Sequence, residues 1–64
     1  MYIRIKEARK FKHMTVKDLS KVSGISERSI NFYEKQRREP KLSRIERLAE
    51  VLEVDPAWLV SWKD

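Results

Sequence analysis

The chain has 64 residues, with 15 Lys or Arg against 10 Asp or Glu and a net charge of +5. The absence of cysteine and the single histidine exclude disulfide staples, thiolate metal sites and a histidine-built zinc site. No apolar run approaches the ~18 residues of a membrane span, and Met1 leads into Tyr2-Ile3-Arg4-Ile5-Lys6 without a secretory h-region, so a cytoplasmic location is expected.

The length sets one domain, residues 1–64, near the lower limit for folding unaided. Charge divides it unevenly. Residues 1–47 hold 14 basic and 6 acidic side chains, a net of +8, and residues 48–64 hold 1 basic and 4 acidic, a net of −3. A basic body with a mildly acidic, apolar tail favours a polyanionic partner, most simply nucleic acid. Extra lysines on the surface of a small domain are the plainer reading of the same numbers.

With one glycine, two prolines and little β-type alternation, an all-helical fold is expected. The first helix should run from about Ile3 to Lys12, with Ile5, Ala8 and Phe11 sharing a face. His13 follows where a helix end favours Gly or Asn, and it has no partner that would make it catalytic. Thr15 is an N-cap with Asp18 three residues on, close to a capping box, so a second helix should run from Val16 to Val22 or Ser23. Leu19 and Val22 are its candidate core residues. Gly24 ends it, and Ser26 caps a third helix with Glu27 in its first turn. After Pro40, Ser43 or Lys41 opens a fourth, in which Leu42, Ile45, Leu48, Ala49 and Leu52 form an apolar stripe. Asp55-Pro56 starts a fifth, expected to reach about Trp62. The expected core is Ile5, Ala8, Met14, Leu19, Ile25, Ile30, Tyr33, Leu42, Ile45, Leu48, Ala49, Leu52 and Trp58.

The segment TVKDLSKVSGISERSINFYEK resembles the helix-turn-helix of the phage repressor and Cro-type DNA-binding family. Ser20 stands four residues before the turn glycine, Gly24, where the crossing helices need a small side chain. Ile25 follows the glycine, and Ile30 and Tyr33 lie six and nine residues past it. Glu34 then precedes a basic loop, Lys35 to Pro40. The likeness extends over nearly the whole chain, from about Ile3 to Trp62. The chain departs from the pattern at three places: Val16 stands where the family has a phosphate-contacting Gln, Gln36 stands where Gly often follows the third helix, and His13 stands where Gly is also common.

The resemblance implies a compact five-helix, lambda-repressor-like domain whose third helix enters the DNA major groove. Its base-contacting positions fall on Glu27, Arg28 and Phe32, with Asn31 alongside. Arg28 is suited to bidentate donation to guanine. Glu27 suits cytosine N4 or the orientation of Arg28, and Asn31 suits adenine or a phosphate. Phe32 offers apolar contact to a thymine methyl or a sugar edge, unless it packs on the bundle's flank. The plainer alternative for Glu27 and Arg28, ranked below base contact, is a solvated ion pair. Thr15, Lys17, Lys21, Ser26, Lys35, Arg37, Arg38 and Lys41 are the expected phosphate contacts. Arg9 and Glu34 are expected to pair and fix the third helix. Val60 and Trp62 are candidates for a dimer interface.

The leading expectation is a non-enzymatic transcriptional regulator, a repressor, binding a near-palindromic double-stranded operator as a homodimer. It needs no cofactor, metal, membrane or small-molecule ligand. A Cro-like repressor, a restriction–modification controller or the DNA-binding half of a truncated repressor fits this class. The alternative is a protein-interaction module, such as an antitoxin-like subunit that uses its apolar tail. A winged helix of the mercury-resistance-regulator type ranks lower, because helices rather than a wing follow the motif. An enzyme ranks last, for want of a Ser/His/Asp arrangement, a paired-carboxylate cleft or a glycine-rich phosphate loop.

Overall fold

In the computed structural model, which describes residues 2–61, the first and last described residues meet in one short antiparallel ladder. Strand β1 (Tyr2–Ile3) pairs with β2 (Val60–Ser61), Tyr2 opposite Ser61 and Ile3 opposite Val60. Between them lie α1 (Ile5–Phe11), α2 (Val16–Ser23), α3 (Glu27–Glu34), α4 (Leu42–Leu52) and α5 (Pro56–Leu59). The fold is mostly helical and compact, with principal extents of 29 × 21 × 20 Å.

The ladder departs from the all-helical expectation and shortens two helices. The first begins at Ile5 because Ile3 is extended and buried, and the Arg4 amide donates to the Leu59 carbonyl at 2.7 Å. The fifth has one turn, because β-branched Val60 leaves it in an extended conformation (φ −113°, ψ 143°) and pairs with Ile3. This changes the core. Ile5, Ala8, Leu19, Ile25, Ile30, Tyr33, Ile45, Leu48, Ala49 and Leu52 are buried as expected, and Ile3, Leu59 and Val60 join them. Met14 is only partly buried. Leu42, the first residue of α4, and Val22 are exposed. So is Trp58, whose ring lies 5.5 Å from the Arg4 guanidinium carbon. Phe11, at 83% exposure, is outside the core altogether.

Val60 as a dimer contact must be corrected. It is 5% exposed and packed in its own chain's core, so its side chain offers nothing to a second copy. Trp62, the other dimer candidate, lies outside the described residues.

Three helix ends share one geometry. After α1, α3 and α4 a single residue turns left-handed: His13 (φ 58°), Gln36 (φ 59°) and Glu53 (φ 58°). In each case the next amide bonds back to the carbonyl five residues earlier, as Met14 does to Arg9 and Arg37 to Phe32. Gly24 (φ 74°), the only glycine of the sequence, is the fourth left-handed residue among the described residues. A Cβ placed there would meet nothing within 4 Å, so its role is conformational and not one of close approach.

Candidate nucleic-acid interface

α2 and α3 are set by their caps. Thr15 Oγ1 accepts from the Asp18 amide at 3.0 Å, and Asp18 Oδ2 accepts from the Thr15 amide at 3.0 Å, a complete capping box. The Thr15 amide chiefly, and the Thr15 hydroxyl next, hold the Asp18 carboxyl below its ordinary value. Ser26 Oγ accepts from the Ser29 amide at 3.1 Å and starts α3. In the turn between them, buried Ser23 accepts from the Ile25 amide at 3.2 Å. Arg47 Nε reaches from α4 to the Ser23 carbonyl at 3.3 Å.

The inner side of α3 is Ile30 and Tyr33, both buried. At helical spacing this turns Glu27, Arg28, Asn31 and Lys35 outward, and all four are exposed. The C-terminal end of α3 is tied in three directions. Arg9 Nε and Nη2 donate to the two carboxylate oxygens of Glu34 at 2.8 and 3.2 Å, with side-chain exposures of 12% and 9%. Arg9 Nη1 also donates to the Met14 carbonyl at 2.8 Å. The Gln36 carboxamide makes a reciprocal pair with Ile3: it accepts from the Ile3 amide and donates to the Ile3 carbonyl, each at 3.1 Å. Arg44 Nη1 donates to the Tyr33 hydroxyl at 2.8 Å.

Among the residues expected to meet DNA, the geometry joins three. Phe32 is half-buried, with the guanidinium carbon of Arg28 at 5.6 Å from its ring centroid and that of Arg38 at 5.1 Å. Glu27 and Arg28 are not in an ion pair among the described residues. Lys17, Lys21, Lys35, Arg37 and Lys41 are exposed, and none of them forms an ion pair among the described residues. Thr15 and Ser26 are exposed and engaged in capping.

Two features escape a reading of the sequence alone. Arg44 stands one turn into α4 from Lys41, so its charge belongs with the basic loop. Spacing from Lys41 is the available signal. α4 also begins without a side-chain cap, so its first-turn amides carry positive potential beside that loop. The departures from the family pattern have local explanations. Val16 packs partly buried against the core, and Gln36 takes up the left-handed position while its side chain binds β1.

Among the described residues there is no group of three or more His, Asp or Glu able to hold a metal, and no helix is long and apolar enough to cross a membrane.

Comparison with known proteins agrees with this geometry. The family described as Helix-turn-helix matches residues 5–59. The crystal structure of the restriction-modification controller protein C.AhdI from Aeromonas hydrophila superposes with a TM-score of 0.82 at 27% identity, covering 88% of this chain and 85% of that one. No curated protein shows significant sequence similarity to this chain.

Proposed function

We propose, from the premise that this chain belongs to the helix-turn-helix family, that it is a repressor-type transcription regulator whose α3 reads a double-stranded operator in the major groove. DNA-binding regulation is the activity its family membership supports; the operator contacts and the sign of regulation are our reading. One observation carries it. α3 is held to the core by Ile30 and Tyr33 and braced through Glu34, while Glu27, Arg28 and Asn31 stand in solvent, as do the cations Lys35, Arg37 and Lys41.

Arg28 is assigned to a guanine, through two hydrogen bonds to O6 and N7, and Asn31 to an adenine or a phosphate. Lys17, Lys21, Lys35, Arg37, Arg38 and Lys41 are assigned to phosphates, with the capped N-termini at Thr15 and Ser26. One α3 covers only a few base pairs. A homodimer on half-sites roughly 34 Å apart gives the discrimination that a genome requires. Control of a restriction–modification system, the role of C.AhdI, is the form of this reading that the structural likeness favours.

Selection from a random duplex pool at near-physiological salt tests the proposal. Enrichment of a symmetric motif, with Arg28→Ala relaxing one base pair per half-site, is expected. Retention without enrichment, vanishing with modest salt, would refute sequence-specific binding. The protein-interaction alternative rested on Val60 and Trp62, and it loses Val60 to the core.

A further inference from the structure

We infer that Phe32 is a positioning residue that holds Arg28 and Arg38 as one unit, coupling base reading to the grip on the backbone, and that it does not itself contact a base. The inference rests on the assignment of α3 as the reading helix. It departs from the expectation that Phe32 meets a thymine methyl.

Phe32 lies one turn after Arg28 on α3, so their side chains are neighbours along the helix. Arg38 comes from a different element. The chain returns there because Gln36 turns left-handed and the Arg37 amide donates to the Phe32 carbonyl at 2.9 Å. That bond anchors the loop to the residue whose ring Arg38 then meets. The two guanidinium carbons lie 5.6 and 5.1 Å from the ring centroid, within the range of cation–π attraction. The ring is half-buried, which fixes it, while both arginines are exposed and therefore able to bind.

Two cations near one another repel, and each is a long side chain with many rotamers. Attraction to the negative face of a shared ring offsets the first and narrows the second. Arg28 is placed to donate to a base edge and Arg38 to a phosphate. Arginines already ordered in the free protein lose less freedom on binding. An arginine settled on its phosphate also fixes the ring, and through it the height of Arg28 in the groove.

The test measures affinity for the selected operator. Phe32→Leu, which keeps apolar bulk and removes the π face, should weaken binding roughly ten-fold, within the range of a cation–π contact. Phe32→Tyr should bind like the unaltered protein. In an Arg28→Ala/Arg38→Ala background, Phe32→Leu should change affinity less than about two-fold, as expected for residues that act together. Phenylalanines carrying one, two and three ring fluorines at position 32 should lower the logarithm of affinity stepwise. Fluorine drains the ring face with little change in bulk, so a merely structural ring would not respond. In the free protein, nuclear magnetic resonance should show ring-current shifts on the side-chain protons of both arginines, absent in Phe32→Leu. That readout needs only a folded chain, and the fluorinated proteins keep the test decisive should the leucine variant fold poorly.

A weakening that persists in the double-alanine background, or one reproduced by replacing operator thymines with uracil, would mean direct base contact and would overturn the inference. So would affinity indifferent to fluorination. If instead Arg28→Ala leaves the selected site preference intact, the assignment of α3 has failed. An intact α3 assignment with uncoupled Phe32 refutes the clamp alone.

Discussion

Replacing Arg9 by alanine tests how firmly α3 is held to the rest of the fold. Arg9 makes three hydrogen bonds, two to Glu34 at 2.8 and 3.2 Å and one to the Met14 carbonyl at 2.8 Å. Its removal leaves a carboxylate at 9% exposure and a backbone carbonyl without their donor. Removing one member of a pair so little exposed costs about 3–5 kcal/mol. A chain of this length has roughly 3–10 kcal/mol of stability in total. Arg9→Ala should therefore forfeit a third or more of the margin. Glu34→Gln keeps an acceptor for the guanidinium and should destabilise by about 1–3 kcal/mol. Combining Arg9→Met with Glu34→Leu replaces the pair by apolar groups and should recover most of the stability. Urea unfolding followed by far-ultraviolet circular dichroism measures all of these. A double-mutant cycle on Arg9→Ala and Glu34→Ala should give a coupling of about 2 kcal/mol, little reduced by salt, because the pair is mostly removed from solvent. Effects that add within about 0.5 kcal/mol would refute the reasoning, since independent sites behave that way.

His13→Gly should raise stability by roughly 0.5–1 kcal/mol in thermal unfolding, because it relieves a left-handed side chain that is exposed (φ 58°). Gln36→Gly relieves the same conformation but removes both bonds to Ile3, and should lower stability by about 1 kcal/mol. Asp18 is held below the ordinary carboxylate value by the Thr15 amide and hydroxyl, so its stabilisation is full above the unfolded pKa and disappears as pH falls through the lowered one. Asp18→Asn should flatten that part of the acid-unfolding profile, and titration of the Asp18 carboxyl by nuclear magnetic resonance checks the direction directly. Lys35→Ala, Arg37→Ala and Lys41→Ala should each weaken binding to operator and random duplex alike, and lower the slope of log affinity against log salt by about 0.9 for each phosphate that is no longer neutralised.

The motif itself is legible in the sequence because its signals are local. Thr15 with Asp18, Gly24, and Ser26 each act within three residues, and each takes the predicted place. The helical stripe of Ile45, Leu48, Ala49 and Leu52 is legible for the same reason. The features that sequence does not reveal depend on pairings far apart in the chain. Ile3 and Val60 pair across the whole length, in strands too short to show any alternation. That pairing places Val60 in the core rather than on the surface and leaves Trp58 outside. At the candidate site, the outward positions on α3 follow from its period. The place of Arg38 does not, because it depends on a left-handed turn at Gln36, a residue type that seldom adopts one.

The Gln36 turn also explains why the ties on α3 gather at one end. Its N-terminus is held by a backbone turn and a serine cap. Its C-terminus is held by side chains from three directions: Arg9 of α1 on Glu34, Arg44 of α4 on Tyr33, and Gln36 itself on β1. Such an arrangement leaves the first turn, with Glu27 and Arg28, exposed to solvent. Rigidity comes from the rear of the helix and access from its front. A glycine at position 36 would permit the same turn but not the bond to β1, so the departure from the family pattern adds a constraint where the pattern supplies only freedom. Because β1 is paired with β2, that constraint joins α3 to both strands of the ladder. Changes at Ile3 or Val60 are thus expected to reach DNA binding through Gln36, without touching any residue of the interface.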